Sequence, residues 1–195
     1  MTDIATNPHA LPDNLPVPQD DGGARHLTGA TLPDLALPAT RGAPVNLSKL
    51  KGRTIVYVYP RTGVPGQHNP EGWDMIPGAR GCTPQSCAFR DRFTDMKQLG
   101  VAQLFGLSTQ DTAYQREMAE RLHLPFPVLS DENLALTTAM KLPTFVAGGM
   151  TLLKRMAWVI DDGVLTKVFY PVFPPDRNAA DVLAWLKAQP QRASR

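Results

Sequence analysis

The two cysteines of the chain, Cys82 and Cys87, stand five positions apart in GARGCTPQSCAFRDRF, residues 78–93. Thiols so placed admit four roles: a structural bridge, half of a metal site, two inert core residues, or a redox pair. Pro84 suits the first turn of a helix, where its missing N–H would have had no partner anyway. Cys82 therefore falls at the amino end of that helix, where unpaired N–H groups and the helix dipole favour an anion. Such surroundings lower a thiol's pKa from about 8.5 toward neutrality and produce a nucleophilic thiolate. Cys87 lies about one and a half turns further on, at what reads as an ordinary buried position.

Structural zinc needs four well-spaced ligands. With no further Cys, and His only at 9, 26, 68 and 123, the chain does not supply them, and no metal or organic cofactor is expected. The start, MTDIATNPHALPDNLPVPQDDGGARH, has neither a basic region nor a continuous apolar stretch, so it does not read as a secretory signal. A cytoplasmic location follows as the expectation, and thiols are kept reduced there, against a static bridge. Inert core cysteines stay open, because free Cys is among the most buried residue types. No apolar run approaches the roughly 20 residues needed to cross a bilayer. The net charge of +2 comes from 20 basic and 18 acidic residues that are interspersed along the chain. That pattern argues against nucleic acid or a membrane surface as the main partner.

The elements that must position the thiols can be read in outline. A chain of 195 residues buries one sizeable core. Residues 1–27, rich in Pro, Asp and Asn, read as a mobile tail, and 28–190 as a single domain. Thr54 to Tyr59, TIVYVY, has the β-branched and aromatic content of a buried central strand. The stretch from Pro60 to Gly81 is punctuated by Pro and Gly and reads as loop throughout; a loop of that length in a compact domain is uncommon and usually functional or disordered. A helix follows from near Thr83 to about Leu99, with Phe89, Phe93, Met96 and Leu99 at helical spacing. Strands and helices then alternate: VAQLFGLS, DTAYQREMAERLHL, PFPVLSD and ENLALTTAMKL. LLKRMAWVID and GVLTKVFYPV form two strands around Asp162-Gly163, a strong hairpin signal. The last helix, NAADVLAWLKAQ, starts at Asn178 as N-cap. The pattern predicts an α/β fold, a mixed central sheet flanked by helices.

GCTPQSCAFRD resembles the active-site segment of the peroxiredoxins, thiol peroxidases of the thioredoxin fold, and among them the bacterioferritin comigratory protein or Q-type group. The likeness runs from about Leu27 to Leu186, through LPDLALPATRGAPVNLSKLKG, FGLSTQD and LLKRMAWVIDDG. It implies that Cys82 is the peroxidatic cysteine and Cys87 the resolving one, and that Arg155 holds the peroxidatic sulfur and the peroxide. It also implies a peroxide substrate, a thioredoxin or similar dithiol as reductant, and a monomer or homodimer.

The chain departs from the family pattern in three places. The family has Pro seven residues and Thr three residues before the peroxidatic Cys, whereas Pro60 lies 22 positions upstream of Cys82 and position 79 is Ala. Residues 61–78 thus read as an insertion at the mouth of the site, and Thr62 and Thr83 are the candidates to replace the absent hydroxyl. Ala157 and Trp158 stand where Thr and Phe are usual. His68 and Trp73 lie in the insertion and read as loop residues ahead of the alternative that they line the pocket, His123 as a helix-end cap interaction, and Met118, Met140, Met150 and Met156 as core packing.

The chemistry expected is attack of the Cys82 thiolate on a peroxide O–O bond, then a Cys82–Cys87 disulfide recycled by an external dithiol. Two alternatives stay open: a thiol-disulfide oxidoreductase, although CxxxxC is not the usual CxxC, and a non-enzymatic redox sensor or binding module. The spacing carries a further expectation. On a regular helix five residues place the Cα atoms roughly 8.5 Å apart, beyond the limit of about 7 Å for a disulfide. The helix must open for the pair to close.

Overall fold

The computed structural model describes His9 and residues 11–190. In chain order the elements are β1 (Ala36–Leu37), β2 (Val45–Asn46), β3 (Arg53–Val58), α1 (Cys82–Asp91), α2 (Phe93–Gln98), β4 (Val101–Ser108), α3 (Thr112–Arg121), β5 (Val128–Ser130), α4 (Ala135–Met140), β6 (Thr144–Ala147), β7 (Met150–Leu153), β8 (Met156–Asp161), β9 (Val164–Phe169) and α5 (Asn178–Ala188). The central sheet has the order β5-β4-β3-β8-β9. β3 runs parallel to β4 and antiparallel to β8, and the β8–β9 hairpin finishes one edge. This is the mixed sheet the pattern predicts.

The two-residue period of β3 sorts the core. Ile55 and Tyr57, with Tyr59 just beyond, enter the cluster that holds Cys82, Phe89, Met96, Met118 and Val182, on the side of α1, α2, α3 and α5. Val56 and Val58 point the other way, toward Leu27, Leu47, Leu136 and Trp158. A strand buried on both faces takes apolar residues at every position, which is why TIVYVY carries no polar alternation. Asp162 and Gly163 both have positive φ, 51° and 84°, the conformation a tight two-residue hairpin requires.

Several boundaries differ from the sequence reading. The single helix expected over 83–99 is two, because Arg92 at φ −105° and ψ 6° breaks the backbone between α1 and α2. Phe89, Phe93 and Met96 still face one core across the break. LLKRMAWVID is also two strands. Its first residues form β7, which pairs with β6 around Gly148-Gly149, and the chain enters the central sheet only at Met156. Asn178 does not cap α5. A short 3-10 turn, Pro175–Arg177, leads directly into that helix, and Asn178 is buried with its side chain used elsewhere.

The part of the expected tail that the structure describes, 11–27, lies against the domain. Ala24 and Leu27 are buried, and Asp21 takes Lys154 Nζ at 2.5 Å and the Tyr170 hydroxyl at 2.6 Å. Those anchors are distant in sequence, so local composition does not reveal them. Residues 1–8 and 10, the remainder of that reading, lie outside the described residues.

Candidate active site around Cys82

Gly81 sets the position of the first thiol. It precedes α1 with φ 100° and ψ 22°, a left-handed conformation suited to glycine, and a Cβ there would run into the ring of Pro175. Cys82 is therefore the first residue of α1, and it is only 3% exposed. The helix is fixed to the sheet one turn later. The Tyr57 hydroxyl donates to Ser86 Oγ at 3.1 Å, Ser86 Oγ donates to the Cys82 carbonyl at 3.0 Å, and the Tyr57 and Phe89 rings stack at 4.6 Å.

Arg155 comes from the short link between β7 and β8 and is also 3% exposed. Its Nη2 lies 3.2 Å from Cys82 Sγ, and 3.1, 3.1 and 3.0 Å from the carbonyls of Gly78, Ala79 and Arg80. Its Nη1 donates to Gln85 Oε1. Gln85 in turn donates through Nε2 to Asn178 Oδ1 at 2.9 Å, which is the use of that buried asparagine. The turn before the cysteine is thus wrapped around one guanidinium, and the α5 side of the core fixes the amide that holds it. Among the described residues no carboxylate forms an ion pair with Arg155. A buried cation without an anion is costly; the acceptors around this one are three backbone carbonyls, Gln85 Oε1 and Cys82 Sγ.

Cys87 lies on the same helix, half-buried, and both cysteines are free thiols. Burial raises the Cys87 pKa above its ordinary value; the Arg90 charge opposes this and Asp91 adds to it. The second thiol stays protonated at neutral pH.

The two candidate hydroxyls separate. Thr83 lines the small pocket at Cys82, together with Arg61, Asn69, Trp73 and Arg80, and its buried Oγ1 has no hydrogen-bond partner among the described residues. Thr62 is not part of that lining. Its N–H and hydroxyl both donate to Gln110 Oε1, at 3.0 and 3.2 Å, and its carbonyl accepts from the Tyr114 hydroxyl at 2.9 Å. It pins the start of the loop. At position 79, where a hydroxyl was expected, Ala79 offers its carbonyl, which accepts from the Cys82 thiol at 3.5 Å.

Gln85, Asn178, Arg61, Asn69 and Arg80 were not singled out from sequence as site residues, and Trp73, read there as a loop residue, lines the Cys82 pocket. Gln85 had a readable signal, because three positions after Cys82 is one helical turn on the same face. Asn178 and Arg61 had none. His68 lines a separate shallow cleft and not the Cys82 pocket. His123 follows α3 at φ 51° with its N–H on the Glu120 carbonyl, a helix-ending position. Among the described residues no group of three or more His, Cys, Asp or Glu is arranged to hold a metal ion.

A family model described as Redoxin matches residues 27–183. The peroxiredoxin Q, chloroplastic, of Sedum lineare is 32% identical over 167 residues, covering 85% of this chain and 80% of its own length. That of Oryza sativa subsp. japonica is 33% identical over 162 residues, covering 82% of this chain. The chain spans 66% of the rice protein's length. The crystal structure of peroxidoxin BcpB from Mycobacterium tuberculosis superposes with a TM-score of 0.66 at 28% identity, over 84% of this chain and 97% of that one. The chain belongs to the redoxin family, within its peroxiredoxin Q group.

Proposed function

We propose that the chain is a thiol peroxidase in which Cys82 reduces a peroxide, Cys87 resolves the product and an external dithiol restores both. The observation that carries this reading is the buried Arg155 guanidinium, 3.2 Å from Cys82 Sγ and without a carboxylate partner among the described residues. The Cys82 thiolate attacks one peroxide oxygen, an S–O bond forms, the O–O bond breaks, and the other oxygen leaves as hydroxide and takes a proton. Arg155 faces the negative charge on sulfur before the step and on the departing oxygen during it. Thr83 supplies a hydroxyl at the same pocket to orient the peroxide, the role for which Thr62 is too far committed to Gln110.

The sulfenic acid is then attacked by Cys87, an S–S bond forms and water leaves. A dithiol of the thioredoxin type attacks that disulfide and supplies the two electrons that return it to two thiols. Both cysteines sit on one helix, so the first turns of α1 must open between the two chemical steps. A reducing compartment such as the cytoplasm suits this cycle; no helix among the described residues is long and apolar enough to cross a membrane. We place Cys82, Cys87, Arg155 and Thr83 in the site, and take the active unit to be a monomer or homodimer.

Peroxide consumption by the full chain with a thioredoxin, its reductase and NADPH tests the reading. Sustained turnover is expected. Oxidation that stops after one equivalent would fit a sensor, and no oxidation at all would remove the peroxidase.

A further inference from the structure

We infer that the 61–78 loop makes this chain selective for hydrogen peroxide over hydroperoxides that carry a bulky organic group, with Trp73 as the residue that sets the limit. The inference rests on the peroxidase reading above. The pocket at Cys82 leaves about 20 Å³ of room, little more than the roughly 10–15 Å³ that a single water needs on the same measure. Two bonded oxygens fit such a space; an aromatic or branched alkyl substituent has to extend through the open mouth past Trp73 or displace the wall. The walls are largely polar, since Arg61, Gln67, Asn69 and Arg80 contribute to them beside Val64 and Trp73. The larger apolar cavity nearby, about 370 Å³ between Val17, Ile76, Phe145 and Val172, is lined by Arg155 but not by Cys82, so the guanidinium stands between it and the sulfur.

Trp73 is the largest side chain in the pocket wall and is 3% exposed. It is not a loose flap. Its ring contacts Phe145 at 6.2 Å between centroids, and it is buried with Ala79, Ala147 and Leu152. The next residue, Asp74, pairs with Arg80 at 3.1 Å, two positions before the reactive sulfur. The short turn Trp73–Met75 is therefore fastened to the β6–β7 hairpin on one side and to the Cys82 turn on the other. Opening room for a substituent means breaking that packing, at a cost hydrogen peroxide does not incur.

The test measures the second-order rate of Cys82 oxidation in the full chain by rapid quench and mass spectrometry, with hydrogen peroxide and with cumene hydroperoxide. The wild-type chain is expected to favour hydrogen peroxide by about tenfold or more, and Trp73→Ala to reduce that ratio by about threefold or more through a gain on cumene hydroperoxide. If circular dichroism shows that Trp73→Ala does not fold, Trp73→Phe is judged by the same threshold. A smaller wild-type preference, or a smaller change in the variant, overturns the inference while leaving the peroxidase intact. No oxidation by either peroxide in the wild-type chain overturns the peroxidase reading itself.

Discussion

The guanidinium of Arg155 stands 3.2 Å from the sulfur of Cys82, although 73 residues separate the two in the chain. The contact joins a helix start to a link between strands, and both groups are buried. Arg155→Met keeps the length of the side chain and removes the charge and the donors. Loss of one preorganised donor costs a factor of roughly 10² to 10³, and the rate of Cys82 oxidation by hydrogen peroxide is expected to fall by that amount. An unchanged rate would place Arg155 outside the chemistry.

Gly81→Ala tests the placement of the thiol. A left-handed backbone costs a residue with a Cβ roughly 1–2 kcal/mol, and here the added methyl also meets Pro175. The variant is expected to lose at least that much stability in urea unfolding, and to react more slowly because Cys82 moves relative to Arg155. Wild-type stability and rate together would show that the turn is not constrained as described.

What the sequence disclosed follows from how local each cause is. Pro84 after Cys82, the β-branched run at 54–59 and Asp162-Gly163 act within a few residues, so the helix start, the central strand and the hairpin could be read directly. The Gly148-Gly149 turn between β6 and β7 had the same kind of signal, but Lys154-Arg155 carry no turn residue, so the run 152–161 reads as one strand and hides the break between β7 and β8. The Gln85–Asn178 bond spans 93 residues and the Asp21–Lys154 bond 133. Nothing in the local composition of either partner announces such pairings. Arg155 was found only through the family resemblance, since a lone arginine beside a strand reads equally well as a surface residue.

The pH dependence of the second step follows from Cys87. Burial raises its pKa on the intact helix, and even after α1 opens an ordinary thiol is mostly protonated near neutrality, with a thiolate fraction that rises about tenfold per pH unit below the pKa. Disulfide formation after a single dose of peroxide is therefore expected to accelerate steadily from pH 6 to 8, at roughly that slope. A plateau already present at pH 7 would mean that another step limits closure or that Cys87 is not the attacking thiol.

Closure must also be visible in the backbone. With both cysteines on α1 and roughly 8.5 Å between Cα atoms, a disulfide requires the segment from about Cys82 to Phe89 to unwind. Hydrogen exchange at the amides of residues 85–92 should accelerate on oxidation. Protection that survives disulfide formation would remove the resolving role from Cys87.

The most direct measurement locates the first oxidation. Cys87→Ser, treated with one equivalent of hydrogen peroxide and trapped with a sulfenic-acid reagent, is expected to carry one adduct on Cys82 and to stall there, while Cys82→Ser carries none and consumes no peroxide. Mass spectrometry of the peptide containing residues 81–90 distinguishes the two thiols. An adduct on Cys87 in the Cys82→Ser chain, formed as fast as the wild-type reaction, would contradict the assignment of the helix-start cysteine as the one that meets the peroxide.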